Sequence, residues 1–233
     1  MNITIDHLTE GAARAEGAVV VIDVFRAYSV ECWAFAGGVR RIYPIAALEE
    51  AYAMKRAHPA YLLAGERHGR MAAGFDAGNS PSQLSALPLA GRTLIHTTSA
   101  GTQGISAAKR AELILPASLV NARATADCLR RLAPARVSLV CMGFENLRPT
   151  AEDTLCAEYI RALLEDRPYP DIRAAAAALR DGPGRRFFVP EDQSFAPEAD
   201  FYLCTEVDRF PFALRVFRDG DGRAYTEPVR EIR

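Results

Sequence analysis

The chain has 233 residues, 49% of them hydrophobic and 24% charged, and a formal net charge of −1. That is enough for one large domain or two small ones with an ample core. The charge excludes the broad basic field that nucleic acid or an anionic membrane surface would need, and no stretch approaches the ~20 apolar residues of a membrane span.

The opening residues lack the basic-then-apolar order of a leader. The cysteines (Cys32, Cys128, Cys141, Cys156 and Cys204) are five, odd in number and far apart, with no Cys-x-x-Cys pair. They read as reduced cytosolic thiols, which sets the expected location as cytoplasmic and argues against a cysteine-held zinc.

The first strong element is Val19–Val24, an all-apolar, β-branched run interrupted only by Asp23, which reads as a central parallel strand. A carboxylate there is costly to bury unless paired or metal-bound, so Asp23 is a candidate ligand or catalytic group, with a buried pair to Arg26 as the plain alternative. A helix over Val30–Ala36, a strand over Arg41–Ile45, a helix over Ala46–Ala57 and a strand over Tyr61–Ala64 follow. Then comes Gly65–Pro81, GERHGRMAAGFDAGNSP, with no periodicity. A loop of that length is usually functional. Its Glu66 and Asp76 are candidate ligands for a hard cation, and Arg67 has the fork for a phosphate or carboxylate. Asn79 and Ser80 close it in a turn.

A strand over Thr93–His96 runs into Thr97, Thr98, Ser99, Gly101 and Thr102, followed by a helix over Gly104–Lys109. Small hydroxyl residues and glycine between strand and helix suggest an anion nest, without the lysine and spacing of a nucleotide P-loop. Glu112–Leu115 and Val137–Cys141 read as strands, with a helix over Asn121–Leu132 between them. Thr150-Ala-Glu-Asp153 has the form of a capping box at the head of another helix, which explains Asp153 as well as a functional role would. After an alanine-rich helix over Asp171–Arg180, Leu214–Phe217 and Arg223–Glu227 flank Asp219-Gly-Asp-Gly222, the signal of a β-hairpin and a candidate lid or edge ribbon.

Strand and helix alternate, so the expected fold is α/β, a three-layer α/β/α arrangement on a mostly parallel sheet. One compact unit over 1–233 is expected. Ala36, Ile42 and Pro44 recur at one constant offset as Ala108, Ile114 and Pro116. The order of elements recurs with them, which points to two similar halves, 18–92 and 93–165, followed by a C-terminal extension over 166–233. Ligands of such sheets sit at strand carboxyl ends, here Asp23, Glu66-Arg67, Thr97–Ser99 and Cys141–Gly143. Three look-alikes fail. Arg67-His68-Gly69 follows the third strand rather than the first, as a histidine phosphatase would have it. Cys141 and Arg148 are spaced one residue too far for a tyrosine-phosphatase loop. Phe25 stands where a haloacid-type phosphatase has its second Asp.

Taken together, IDVFRAYS (22–29), GERHGRMAAGFDAGNSP (65–81), TTSAGTQG (97–104), ASLVNA (117–122) and CMG…EDTLCAEYI (141–160) resemble the 2-phosphosulfolactate phosphatase (ComB-like) family. The resemblance spans roughly 18–165, with a weaker match near Asp200–Asp208. It implies a magnesium-dependent hydrolase converting 2-phosphosulfolactate to sulfolactate and phosphate, a step of coenzyme M biosynthesis in methanogens. It implies Mg²⁺ held by Asp23 with one or more of Glu66, Asp76 and Asp153, catalysis by Asp23, Arg26, Glu66 and Arg67, and substrate contacts from Thr97, Thr98, Ser99, Gly101, Thr102, Asn79, Ser80 and Asn121. Its partner would be a small anionic phosphorylated substrate, with neither nucleic acid nor membrane, and a homo-oligomer stays open. Thr-Thr-Ser-Ala-Gly-Thr replaces the methanogen-type Thr-Thr-Asn-Gly-Thr. That leaves two alternatives: a phosphatase of another small phospho-2-hydroxy acid, and a non-catalytic phospho-metabolite binder.

Overall fold

The computed structural model of the chain describes residues 1–229. In chain order its elements are β1 (Asn2–His7), α1 (Leu8–Arg14), β2 (Gly17–Ile22), α2 (Ala27–Ala36), β3 (Arg41–Pro44), α3 (Leu48–Ala57), β4 (Leu62–Arg67), β5 (Arg70–Met71), α4 (Pro81–Leu84), β6 (Thr93–Thr97), α5 (Gly101–Ala107), β7 (Ala111–Ala117), α6 (Ala122–Leu132), β8 (Arg136–Cys141), α7 (Ala151–Leu164), α8 (Ile172–Ala178), α9 (Glu198–Thr205), β9 (Ala213–Arg218) and β10 (Ala224–Val229). A run of short 3₁₀ turns, including Pro183–Phe188, links α8 to α9.

The fold is α/β, and its strands divide between two sheets. One has the order β1-β8-β2-β7 and is parallel throughout. The other has the order β5-β4-β6-β3-β10-β9, with β4, β6 and β3 parallel and the two margins antiparallel.

Each sheet is covered on both faces, as alternation along its central strand dictates. From β2, Val20 and Ile22 pack with Leu129 and Ile160 of α6 and α7. Val19 and Val21 face the other way, with Ala12 of α1 and Ile105 of α5. From β6, Leu94 packs with Val30 of α2 and Leu84 of α4, while Ile95 packs with Ala51 and Met54 of α3. The three-layer arrangement expected from the sequence therefore occurs around each sheet.

The strand order mixes the two sequence-defined halves. In the first sheet β2 of the first half lies between β8 and β7 of the second; in the other sheet β6 of the second half lies between β4 and β3 of the first. β1, β5 and the β9–β10 pair extend these three-strand cores outward.

Several expectations are corrected. The first 16 residues carry no clear period, yet Asn2–His7 pairs in register with Arg136–Cys141 and α1 follows it. The 65–81 stretch is not without structure. β4 runs on through Arg67 and turns back so that Glu66 pairs with Met71 and Arg67 with Arg70, and Ala64 bridges Ala77. Gly65 permits this, because at its φ of +144° a β-carbon would fall 1.9 Å from the carbonyl oxygen of Thr97. The hairpin at the C-terminus is an edge ribbon of the second sheet rather than a lid. Thr226 of β10 pairs with Ile42 of β3, and Ala213 and Leu214 are buried in the core.

Candidate active site

Four strands, two from each sheet, send their carboxyl ends toward one cleft. The segments following β2, β4, β6 and β8 contribute Asp23, Glu66, Ser99 with Ala100, and Gly143 with Phe144; Phe25, Arg26, Asn79, Glu145 and Arg186 complete the lining. The cleft encloses empty space of about 400 Å³, part of it open to solvent. Asp23 and the β6 loop thus meet where two sheets converge rather than along the rim of one.

Asp23 follows β2 directly and is buried. Its Oδ1 accepts the amide of Ala27, 3.1 Å away, at the head of α2. Its Oδ2 has no hydrogen-bond partner among the described residues and lies against Gly101, where a β-carbon would come within 3.0 Å of it. Gly101 is thus required as room for the carboxylate. Burial, and then the neighbouring Glu66 and Glu152 carboxylates, push the Asp23 pKa up to about 6 against the amide bond that lowers it. The pairing with Arg26 does not occur. Arg26 Nη1 reaches Asp200 Oδ2 at 2.6 Å, with both side chains buried, and Asp200 also accepts the amide and hydroxyl of Ser82.

Glu66, buried beneath the β4–β5 turn, accepts the Ser99 amide at 2.7 Å, the Ser99 hydroxyl at 3.0 Å and the Gly69 amide at 2.8 Å. It ties the β4 end to the β6 end across the cleft. Asp153 stands behind Asp23. It does not form the capping box, since Thr150 makes no side-chain cap and its hydroxyl oxygen is buried without a partner. Instead the two Asp153 oxygens accept the amides of Val24 and Gly143, each at 2.8 Å, joining β2 to β8. Burial, then Asp23 and Glu152, hold its carboxyl well above the usual carboxylate range.

Other candidates stand in supporting places. Arg67 spends its guanidinium on the carbonyls of Glu66 and Ala46 and on Thr97 Oγ1, bracing β4 against β6 outside the cleft lining. Asp76 accepts the Leu63 amide at 2.8 Å and lies 3.7 Å from Lys55, also outside it. Thr98 and Thr102 cap each other's amides at 3.2 Å, so much of the expected nest is satisfied internally. Ser80 caps α4 through the Gln83 amide, and Asn121 forms a reciprocal cap with Ser118. Of the thirteen non-glycine candidates, Asp23, Arg26, Glu66, Asn79 and Ser99 line the cleft. Cys141 is fully buried and burial raises its thiol pKa, as a core residue requires.

Two groups were not singled out from the sequence. Glu31 of α2 is fully buried, and its Oε1 lies 3.1 Å from Nδ1 of the equally buried His96. His96 Nε2 lies 3.2 Å from Asn79 Oδ1. A carboxylate–imidazole–amide chain therefore ends on a cleft residue. The signal was legible: a lone acid in the apolar run Val30–Ala36 breaks the pattern just as Asp23 does. Arg186, from the Pro183–Phe188 turn, had no such signal.

The profile of the family described as 2-phosphosulpholactate phosphatase matches residues 3–184. The chain belongs to that family. Among relatives named "Probable 2-phosphosulfolactate phosphatase", the Bacillus subtilis protein is 31% identical over 208 residues, covering 87% of this chain and 88% of its own length. The Thermus thermophilus protein is 34% identical over 188 residues, covering 78% of each chain. The Carboxydothermus hydrogenoformans protein is 37% identical over 168 residues, covering 72% of this chain and 69% of its own. The family match takes in all four converging strand ends and the whole of α7, but stops two residues short of Arg186.

Among the described residues no group of three His, Cys, Asp or Glu side chains is arranged to hold a metal ion. A magnesium ion asks for less, because it keeps several waters and binds through one or two carboxylates. Asp23 and Glu66 offer hard oxygens in one cleft, and the mutual repulsion that raises the Asp23 pKa is what a divalent cation would relieve. The donor set fits, and both Asp76 and Asp153 lie outside the cleft lining.

Proposed function

We propose that the chain is a magnesium-dependent phosphomonoesterase that hydrolyses 2-phosphosulfolactate to sulfolactate and inorganic phosphate. The observation that carries this reading is the cleft itself, where two buried acids, Asp23 and Glu66, share a wall-to-wall space with Arg26 and Asn79. A protein that only bound a phosphate would gain nothing from placing carboxylates beside it.

The reaction breaks the bond between phosphorus and the ester oxygen, forms one to a water oxygen, and returns a proton to the leaving alkoxide. Arg26 is held rigid by Asp200 and spreads the charge that gathers on the phosphoryl oxygens. Asp23 Oδ2 is the oxygen left to face the phosphoryl group or the attacking water. Glu66 holds Ser99, and with it the loop at the head of α5, against the cleft. Magnesium held by Asp23 and Glu66 would supply Lewis-acid polarisation of the phosphoryl oxygens. The proposed setting is cytoplasmic, in keeping with five free, buried cysteines.

Phosphate release from 2-phosphosulfolactate and from a panel of phosphorylated 2-hydroxy acids, each with and without Mg²⁺, tests the reading. Release that needs Mg²⁺ and favours 2-phosphosulfolactate supports it. Preference for another phospho-acid would move the substrate but keep the chemistry. Tight binding without release from any of them would make the protein a sensor.

A further inference from the structure

The cleft contains two guanidinium groups with opposite circumstances. Arg26 is neutralised within the fold by Asp200 at 2.6 Å. Arg186 makes no ion pair among the described residues. Its Nη2 donates to the carbonyl of Phe25 at 2.9 Å, and its Nε is buried without any hydrogen-bond partner. The guanidinium carbon stands 5.1 Å from the Phe187 ring centre and 5.6 Å from that of Phe144, so it has little water around it. Burial first, and then the like charge of Arg26, lower its pKa, outweighing the attraction of Glu152 and Asp23.

A buried donor left unmade costs roughly 1–3 kcal/mol, and more when charged. A protein retains that cost where a ligand removes it. The remedy is specific: an oxyanion that accepts from Nε and the free face of the guanidinium, with the planar fork suiting carboxylate or sulfonate. The wall also matters. Glu66 and Ser99 come from the ends of β4 and β6 in one sheet, whereas Phe25 and Phe144, which Arg186 touches, follow β2 and β8 of the other.

We infer that Arg186 is the specificity residue of this cleft, gripping a second acidic group of the substrate, a carboxylate or sulfonate borne beside the phosphorylated carbon. This rests on the phosphatase reading and adds to it the residue that holds the acidic end of the substrate. It also assigns a task to the C-terminal extension, most of which lies beyond the region matched by the family.

The test uses two esters that differ only in that group, O-phospholactate and isopropyl phosphate. Arg186→Met keeps an apolar stem against Phe144 and Phe187, and a thermal melt near the parent's establishes that it folds. Its KM for O-phospholactate should rise about 10- to 100-fold with kcat little changed, the loss of one or two charge-assisted hydrogen bonds. Isopropyl phosphate should be turned over within ~3-fold of the parent, since no second group is there to lose. Arg186→Lys should recover part of the O-phospholactate loss, because charge is kept without the fork. Equal losses on both esters would overturn the inference and make Arg186 a phosphate or scaffold residue. If the parent releases phosphate from neither ester, 2-phosphosulfolactate decides the phosphatase reading, and calorimetry on the same pair of esters decides the inference separately. Weaker binding of O-phospholactate alone to the Met variant upholds the acid-end role; unchanged or equally weakened binding of both refutes it.

Discussion

A single carboxylate decides most at the residue scale. Asp23 is buried, repelled by Glu66 and Glu152, and holds one oxygen toward the cleft. Asp23→Asn should lower phosphate release by at least ~10²-fold, the scale of losing one preorganised electrostatic group. Without divalent cations its melt should come no earlier than the parent's, because a source of repulsion has gone; an early melt with parental turnover would return Asp23 to a structural role. A second expectation concerns the Glu31–His96–Asn79 chain. Asn79→Ala should cut turnover with a small shift in melting, since it truncates the cleft end alone. His96→Ala should cost roughly 3–5 kcal/mol of stability as well, because it strands Glu31 in the core; equal melts for the two variants would break this account. Asp23 was legible in the sequence because an acid in an apolar strand has no folding explanation. Arg67 misled for the opposite reason. An arginine in a glycine-rich stretch looks like a phosphate fork, but whether its donors are already taken by Ala46 and Thr97 depends on residues distant in the chain.

Elements that bury both faces, β2, β6 and β8, stood out as continuous apolar runs and were placed within a residue or two. β1 did not, because an edge strand with the exposure pattern of Asn2–His7 mixes polar and apolar side chains. The β4–β5 turn was missed for a different reason: its pairing is only two residues deep and depends on Gly65 passing close to Thr97. The hairpin of β9 and β10 was foreseen, but its attachment was not. Nothing local to Leu214 or Thr226 reveals that β3 lacks a neighbour on one side. Deleting residues 212–233 should therefore leave a chain without a cooperative melt, since it exposes the Ile42 edge of β3 and removes Phe212, Ala213 and Leu214 from the core. A truncated protein that melts within a few degrees of the full chain would show the hairpin to be an ornament.

At the scale of the whole molecule, the exchange of β2 and β6 between the two sheets governs how the chain holds together. Neither 1–90 nor 91–233 carries a complete central sheet, since each has given its leading strand to the other. A cut between the exposed Ala90 and Gly91 should give two fragments that are each unfolded alone and that fold on mixing. A first fragment that melts cooperatively as a monomer would refute this. The residues that line the cleft are split in the same way, with Asp23 and Glu66 on one fragment and Ser99 and Arg186 on the other. Phosphate release from the mixture is then a direct count of reunited pairs. Titrating one fragment into the other should raise turnover linearly to a sharp break at one-to-one, turning the enzyme into its own assay for complementation.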